Sequence, residues 1–181
     1  LDKPLGVAIS GEGLPKIPHP KDADWDGLDL PWMAFGYGVM LTPLQTLSYY
    51  NAVANNGELV MPRFVSAVKT LDGKNVKSYP KQVINPAICS QETLGKLQHL
   101  MEGVVKNKWG TAHNIYDEKL SIAGKTGTCQ IDYTTDDVNY VASFVGYFPA
   151  HNPTYSCIVV VHKPNKKIGY YGNVVAAPVV K

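Results

Sequence analysis

Leu120-Ser121-Ile122-Ala123-Gly124-Lys125-Thr126-Gly127-Thr128-Cys129-Gln130-Ile131 opens the last third of the chain, and its reading decides the fold. The stretch reads as a β-strand, followed by a polar loop from Asp132 to Asn139. A second strand runs from Tyr140 to Phe148 and turns at Pro149-Ala150-His151-Asn152-Pro153. A third covers Tyr155 to His162, and its run Ile158-Val159-Val160-Val161 suits a central, doubly covered strand better than an edge. Three successive strands make a β-meander. The predicted class is therefore α+β, an antiparallel β-sheet with flanking helices rather than alternating βαβ units.

Outward from the meander the signals are helical. Thr42-Pro43-Leu44-Gln45 starts a helix: Thr42 caps, Pro43 fits the first helical position and Gln45 completes a capping box. Leu44, Leu47, Asn51 and Ala54 share one face, and Gly57 closes the element. Arg63 to Leu71 and Lys74 to Tyr79 flank Asp72-Gly73, a two-residue turn, and predict a hairpin. Ser90 caps a second helix with Leu94, Leu97, Met101 and Val104 at helical spacing, stopped by Gly110. Residues 1–35, rich in Gly, Pro and Asp, predict irregular chain that packs over something outside this segment or wraps a neighbouring element. The organisation is then 1–35 irregular, 36–112 helices and hairpin, and 113–181 β-meander.

The bulk numbers exclude several classes. The chain has 181 residues, 45% apolar and 18% charged, with 17 Lys plus Arg against 15 Asp plus Glu. That is enough apolar material for a core, which excludes whole-chain disorder. A net charge of +2 without basic clusters predicts no nucleic-acid partner. No apolar run approaches the roughly 20 residues of a membrane span. Cys89, Cys129 and Cys157 show no CxxC spacing and the five His are dispersed, so neither a metal nor another cofactor is indicated. The chain opens at Leu1-Asp2-Lys3 without an initiator Met and reads as a fragment.

A lysine between two glycines on a strand is odd architecture, because glycine weakens strand interiors. Gly124 and Gly127 suggest that something approaches this backbone closely. Lys125 supplies a cation, Thr126 and Thr128 supply hydroxyls, and the backbone supplies N–H donors. Together they could hold a carboxylate and stabilise an oxyanion. The bland alternative is a glycine-bearing strand with a surface lysine. Gly124-Lys125-Thr126 also matches the end of a phosphate loop, but Lys119 stands where the first glycine belongs and the motif lies inside a strand. Ser66-Ala67-Val68-Lys69 and Ser78-Tyr79-Pro80-Lys81 match S-x-x-K, a motif that needs a helix face. On hairpin strands the serine and lysine point to opposite faces. Tyr49-Tyr50-Asn51 fits Y-x-N, but on a helix that spacing separates the side chains.

Gly124-Lys125-Thr126-Gly127-Thr128 resembles the K-T-G-T strand of the penicillin-binding proteins. The resemblance extends through Phe35-Gly36-Tyr37-Gly38, Leu41-Thr42-Pro43-Leu44-Gln45 and Ala52-Val53-Ala54-Asn55-Asn56-Gly57. It continues through Gly110-Thr111-Ala112, then Phe144-Val145-Gly146-Tyr147-Phe148-Pro149-Ala150, and Tyr170-Tyr171-Gly172 to Ala176-Ala177-Pro178. It covers nearly the whole chain, and the class B, division-associated branch fits best.

The resemblance implies part of a penicillin-binding-protein and serine β-lactamase-like transpeptidase fold, the C-terminal portion of one transpeptidase domain. It implies a peptidoglycan D,D-transpeptidase that crosslinks stem peptides by serine acyl transfer. The expected partners are D-Ala–D-Ala stem peptides, β-lactams and proteins of the division complex. The expected setting is the bacterial cell envelope, with a parent anchored in the cytoplasmic membrane and this domain on its outer, periplasmic side. Lys125 and the Thr128 N–H take catalytic roles, while Thr126, Gly127 and Thr128 bind substrate. The nucleophile, its lysine and the S-x-N residues precede this segment in the family, so the fragment alone is expected to be inactive. Cys129 stands where members often carry a small residue such as Ala and reads as a tolerated side chain. The alternatives are a β-lactam-hydrolysing or β-lactam-sensing relative, and a non-catalytic scaffold of the division complex.

Overall fold

The structure is a computed structural model that describes residues 2–132 and 138–181; most of the loop expected between Asp132 and Asn139 lies outside them. The meander is present as β5 (Ala123–Ile131), β6 (Asn139–Phe148) and β7 (Tyr155–His162), a three-stranded antiparallel sheet in the order β5-β6-β7. The register between β5 and β6 runs unbroken from Ala123 opposite Tyr147 to Ile131 opposite Asn139. Among the described residues β7 pairs with β6 alone. On one face of β7 Val159 and Val161 pack into a core; on the other Ser156 bonds Asn51 of a helix and Ile158 is half-buried, while Val160 is exposed.

The sheet separates two apolar clusters, because successive residues of a strand face opposite sides. On one side Tyr147 and Ala123 meet Val53, Leu94 and Met101. These come from α2 (Pro43–Ala54) and α3 (Gln91–Lys106). On the other side Phe144 meets Ile115, Ile122, Ala176 and Ala177. The last two adjoin α4 (Gly172–Val175).

The expected capping box is formed. The Thr42 N–H donates to Gln45 Oε1 at 2.9 Å and the Gln45 N–H donates to Thr42 Oγ1 at 3.1 Å. The buried face of α2, however, is Gln45, Ser48, Ala52 and Val53, whereas Leu44, Leu47, Asn51 and Ala54 are half-buried. The polar residues go inside because each finds a partner. Ser48 Oγ donates to the Leu44 carbonyl at 2.8 Å, and Gln45 Nε2 donates to the Lys3 carbonyl at 3.0 Å. The second bond ties Lys3 of the N-terminal segment onto the helix. Within that segment a short helix, α1 (Asp29–Ala34), was not anticipated; Pro31 at its first turn hid it.

The hairpin is shorter than the sequence suggests. The remaining strands are β1 (Leu59–Val60), β2 (Ala67–Lys69), β3 (Asn75–Ser78) and β4 (Val83–Asn85), and they pair as β1 with β4 and β2 with β3. Pro62 and Pro80 have no N–H to donate, and between these two ladders the chain splays.

Candidate active site

β5 has β6 on one side and, among the described residues, no strand on the other. The direction of its backbone groups can be read from one bond. The Gln130 N–H donates to the Tyr37 hydroxyl at 3.2 Å, away from β6. In an antiparallel ladder alternate residues send their N–H and C=O to the same side, and this register has no slip. Thr126 and Thr128 therefore also aim their N–H and C=O at the outer edge. Lys125 Nζ lies at that edge, donating to the Thr126 carbonyl at 2.8 Å.

Lys125 and Thr128 are exposed and Thr126 and Gly127 half-buried, so the predicted residues form one accessible strip. The two threonine side chains share a face and both hydroxyls are held. Thr126 Oγ1 lies 3.1 Å from Thr111 Oγ1, and Thr128 Oγ1 accepts from the Gly172 N–H at 3.1 Å. Lys125 also borders an apolar hollow of about 540 Å³ whose walls include Tyr50, Met101 and Trp109. Burial raises the Tyr50 phenol above its ordinary range.

The glycines serve close packing first. A Cβ on Gly124 would lie 2.5 Å from the Val145 carbonyl oxygen and 2.7 Å from Phe144 Cζ, and one on Gly127 would lie 2.5 Å from Ser143 Oγ. At Gly127 a Cβ would have to displace the Ser143 hydroxyl on β6. Cys129 is half-buried, its thiol pushed up by burial.

Sequence reasoning gave no role to three supporting residues. Thr111 reaches Thr126 because Gly110 lets the chain fold back on the end of α3: the Ala112 N–H donates to the Val104 carbonyl at 3.0 Å. A Cβ on Gly110 would stand 2.3 Å from that carbonyl oxygen. Gly172 and Tyr37 reach β5 from 44 and 93 residues away, distances at which local pattern carries no signal. The decoys are engaged elsewhere. Lys81 Nζ pairs with Glu58 at 2.6 Å, Ser78 Oγ contacts the Asn75 amide, and Asn51 Oδ1 accepts from Ser156 Oγ at 3.0 Å.

A cation, two oriented hydroxyls and outward N–H donors along one open strand edge are groups of the kind that suit anionic oxygens. The chain belongs to the family described as the penicillin-binding protein transpeptidase domain, which matches residues 5–181. It is 34% identical to stage V sporulation protein D of Bacillus subtilis over 151 residues, covering 81% of this chain and 23% of that protein. It is 29% identical to the peptidoglycan D,D-transpeptidase FtsI of Buchnera aphidicola, covering 87% of this chain and 26% of that protein. Among solved structures, penicillin-binding protein 3 of Mycobacterium tuberculosis in its apo form matches with a TM-score of 0.83 at 28% identity. That match covers 99% of this chain and 41% of that one. The same protein complexed with ampicillin matches with a TM-score of 0.82. The chain thus spans about a quarter of the length of these curated relatives.

Proposed function

We propose that residues 1–181 form the Lys-Thr-Gly side of the cleft of a class B peptidoglycan D,D-transpeptidase, as the C-terminal part of one transpeptidase domain. The protein carrying them acts in the bacterial cell envelope during septum synthesis. A serine outside this segment attacks the penultimate D-Ala carbonyl of a stem peptide, forming an ester as the terminal D-Ala leaves with a proton. The amine of a neighbouring stem then attacks the ester, forms the crosslink and returns the serine.

In that sequence the outward Thr128 N–H donates to the oxyanion of each tetrahedral intermediate. The Thr126 and Thr128 hydroxyls bind the terminal carboxylate of the substrate or of a β-lactam. Thr111 orients the first of them and the Gly172 N–H the second. Lys125 supplies the positive field at the edge, beside the apolar hollow. The observation that carries this reading is the common direction of the Thr126 and Thr128 backbone groups, beside Lys125, at the open edge of β5.

The test is Lys125→Ala in the full-length protein, followed by the rate of labelling with a fluorescent penicillin. The expected loss is roughly 10²–10³-fold at an unchanged melting temperature. Unaltered labelling would remove Lys125 from the mechanism. Mass spectrometry of the labelled protein should place the adduct outside residues 1–181. An adduct on Ser66 or Ser78 would overturn the division of the site.

A further inference from the structure

β1–β4 and β2–β3 are two parts of one long hairpin, and the chain between them is open. Pairing reaches the Met61 N–H, which donates to the Gln82 carbonyl at 3.0 Å, and resumes where the Tyr79 N–H donates to the Ser66 carbonyl at 2.9 Å. Between these points Arg63, Phe64 and Val65 have no backbone partner among the described residues. The opening is a hollow of about 770 Å³ walled by the opposing strands and by Ile9 of the N-terminal segment. Phe64 is 58% exposed, Val65 49% and Ile9 53%, so the hollow presents apolar side chains beside backbone that has no ladder partner among the described residues.

The same region is basic. Arg63, Lys69, Lys74, Lys77 and Lys81 stand against two carboxylates, Glu58 and Asp72. Lys74 pairs with Asp72 at 3.3 Å and Lys81 with Glu58 at 2.6 Å. Arg63, Lys69 and Lys77 have no carboxylate partner among the described residues. Arg63 instead bridges the opening by donating to the Tyr79 carbonyl, and Lys77 Nζ sits 4.8 Å from the centre of the Tyr79 ring. Both cations are thereby held at the rim with their charge uncompensated.

We propose that this split hairpin is a docking site for an extended, acidic and apolar peptide segment of a partner protein. The segment adds its backbone to Arg63–Val65, seats alternate apolar side chains between Ile9, Phe64 and Tyr79, and turns its carboxylates to Arg63, Lys69 and Lys77. Strand addition follows because unpaired backbone offers hydrogen bonds for affinity and the hollow offers pockets for alternate side chains. Acidity follows from charge complementarity, which also steers the encounter. A peptide fits better than a lipid surface because the apolar groups line a recess instead of projecting from a tip. The proposal does not depend on the chemistry at Lys125.

The test uses the full-length protein and a fluorescein-labelled synthetic peptide of alternating Glu and Val, read by fluorescence anisotropy. Expected are saturable binding that weakens with salt, and loss of affinity when the Val amides are N-methylated. The double change Arg63→Glu and Lys77→Glu should weaken binding about tenfold or more, and Phe64→Ser should weaken it as well. These residues are exposed, so both variants should keep the wild-type melting temperature and penicillin labelling. No binding of the peptide, equal binding of a Lys–Val peptide, or indifference to these substitutions would overturn the proposal. So would phosphatidylglycerol vesicles that capture the protein through Arg63 and Lys77 while the peptide does not bind.

Discussion

Replacing Gly172 by Ala tests how the cleft strand is held. Gly172 lies against the paired backbones of β5 and β6. A Cβ there would stand 2.3 Å from the Ser143 carbonyl oxygen, 2.5 Å from the Gly127 carbonyl oxygen and 3.2 Å from the Gly127 nitrogen. All three are main-chain atoms of a ladder, so no side-chain rotation relieves the contact. α4 must retreat by about 1 Å to restore ordinary separations. Its N–H then draws away from Thr128 Oγ1, a bond now 3.1 Å long. Overpacking costs about 1–3 kcal/mol and the weakened hydrogen bond about 1 kcal/mol. For a domain of this size the sum lowers the melting temperature by roughly 5–15 °C. Circular dichroism melts of the full-length protein read the stability, and penicillin acylation below the melting range reads the site. Both should fall, because Thr128 loses the donor that orients it. A melting temperature within about 1 °C of wild type and unchanged acylation would show that α4 does not brace the strand.

Three further substitutions probe other claims. Gly95 lies inside α3 with nothing within 4 Å of a Cβ, so Gly95→Ala should stabilise by about 0.5–1 kcal/mol, read by urea denaturation. Tyr147 is fully buried and its hydroxyl has no partner among the described residues, with burial raising its pKa to about 12. Tyr147→Phe should therefore be neutral or stabilising by up to about 1 kcal/mol, and a loss above that in denaturant melts would reveal a hidden partner. Glu102 is bonded by Lys106 at 2.9 Å and faces His151 at 3.4 Å, which hold its carboxyl below the ordinary range. Its folded pKa lies below the unfolded value, so its contribution is full above about pH 4.3 and fades as pH falls through the folded value. Glu102→Gln should cost a few tenths of a kcal/mol at pH 7 and nothing near pH 2, seen as melting curves that converge on acidification.

What the sequence disclosed was local. The capping box at Thr42 needs only neighbours three residues apart, and the strand at Tyr155–His162 was legible because one uninterrupted pattern sets it. The inner face of α2 was misjudged because Gln45 and Ser48 are buried on hydrogen bonds that apolar periodicity cannot register. At the site, Lys125, Thr126 and Thr128 announced themselves by sitting between glycines. Thr111, Gly172 and Tyr37 did not, because their contacts exist only once distant segments have closed on β5.

That last dependence sets a timetable. On a growing chain β5 and β6 are complete by Phe148, but the group that fixes the Thr128 hydroxyl belongs to residue 172. The Asn114 amide waits for the Asn173 carbonyl, and the turn after α3 waits for Lys181, which reaches Asp117 and the Tyr116 carbonyl. A nascent domain released by the ribosome only to Phe148 would have paired strands and an unset edge. The edge proposed to hold anions therefore lacks one of its supports until residue 172 has emerged, and chains interrupted before it carry the motif without that hydrogen bond.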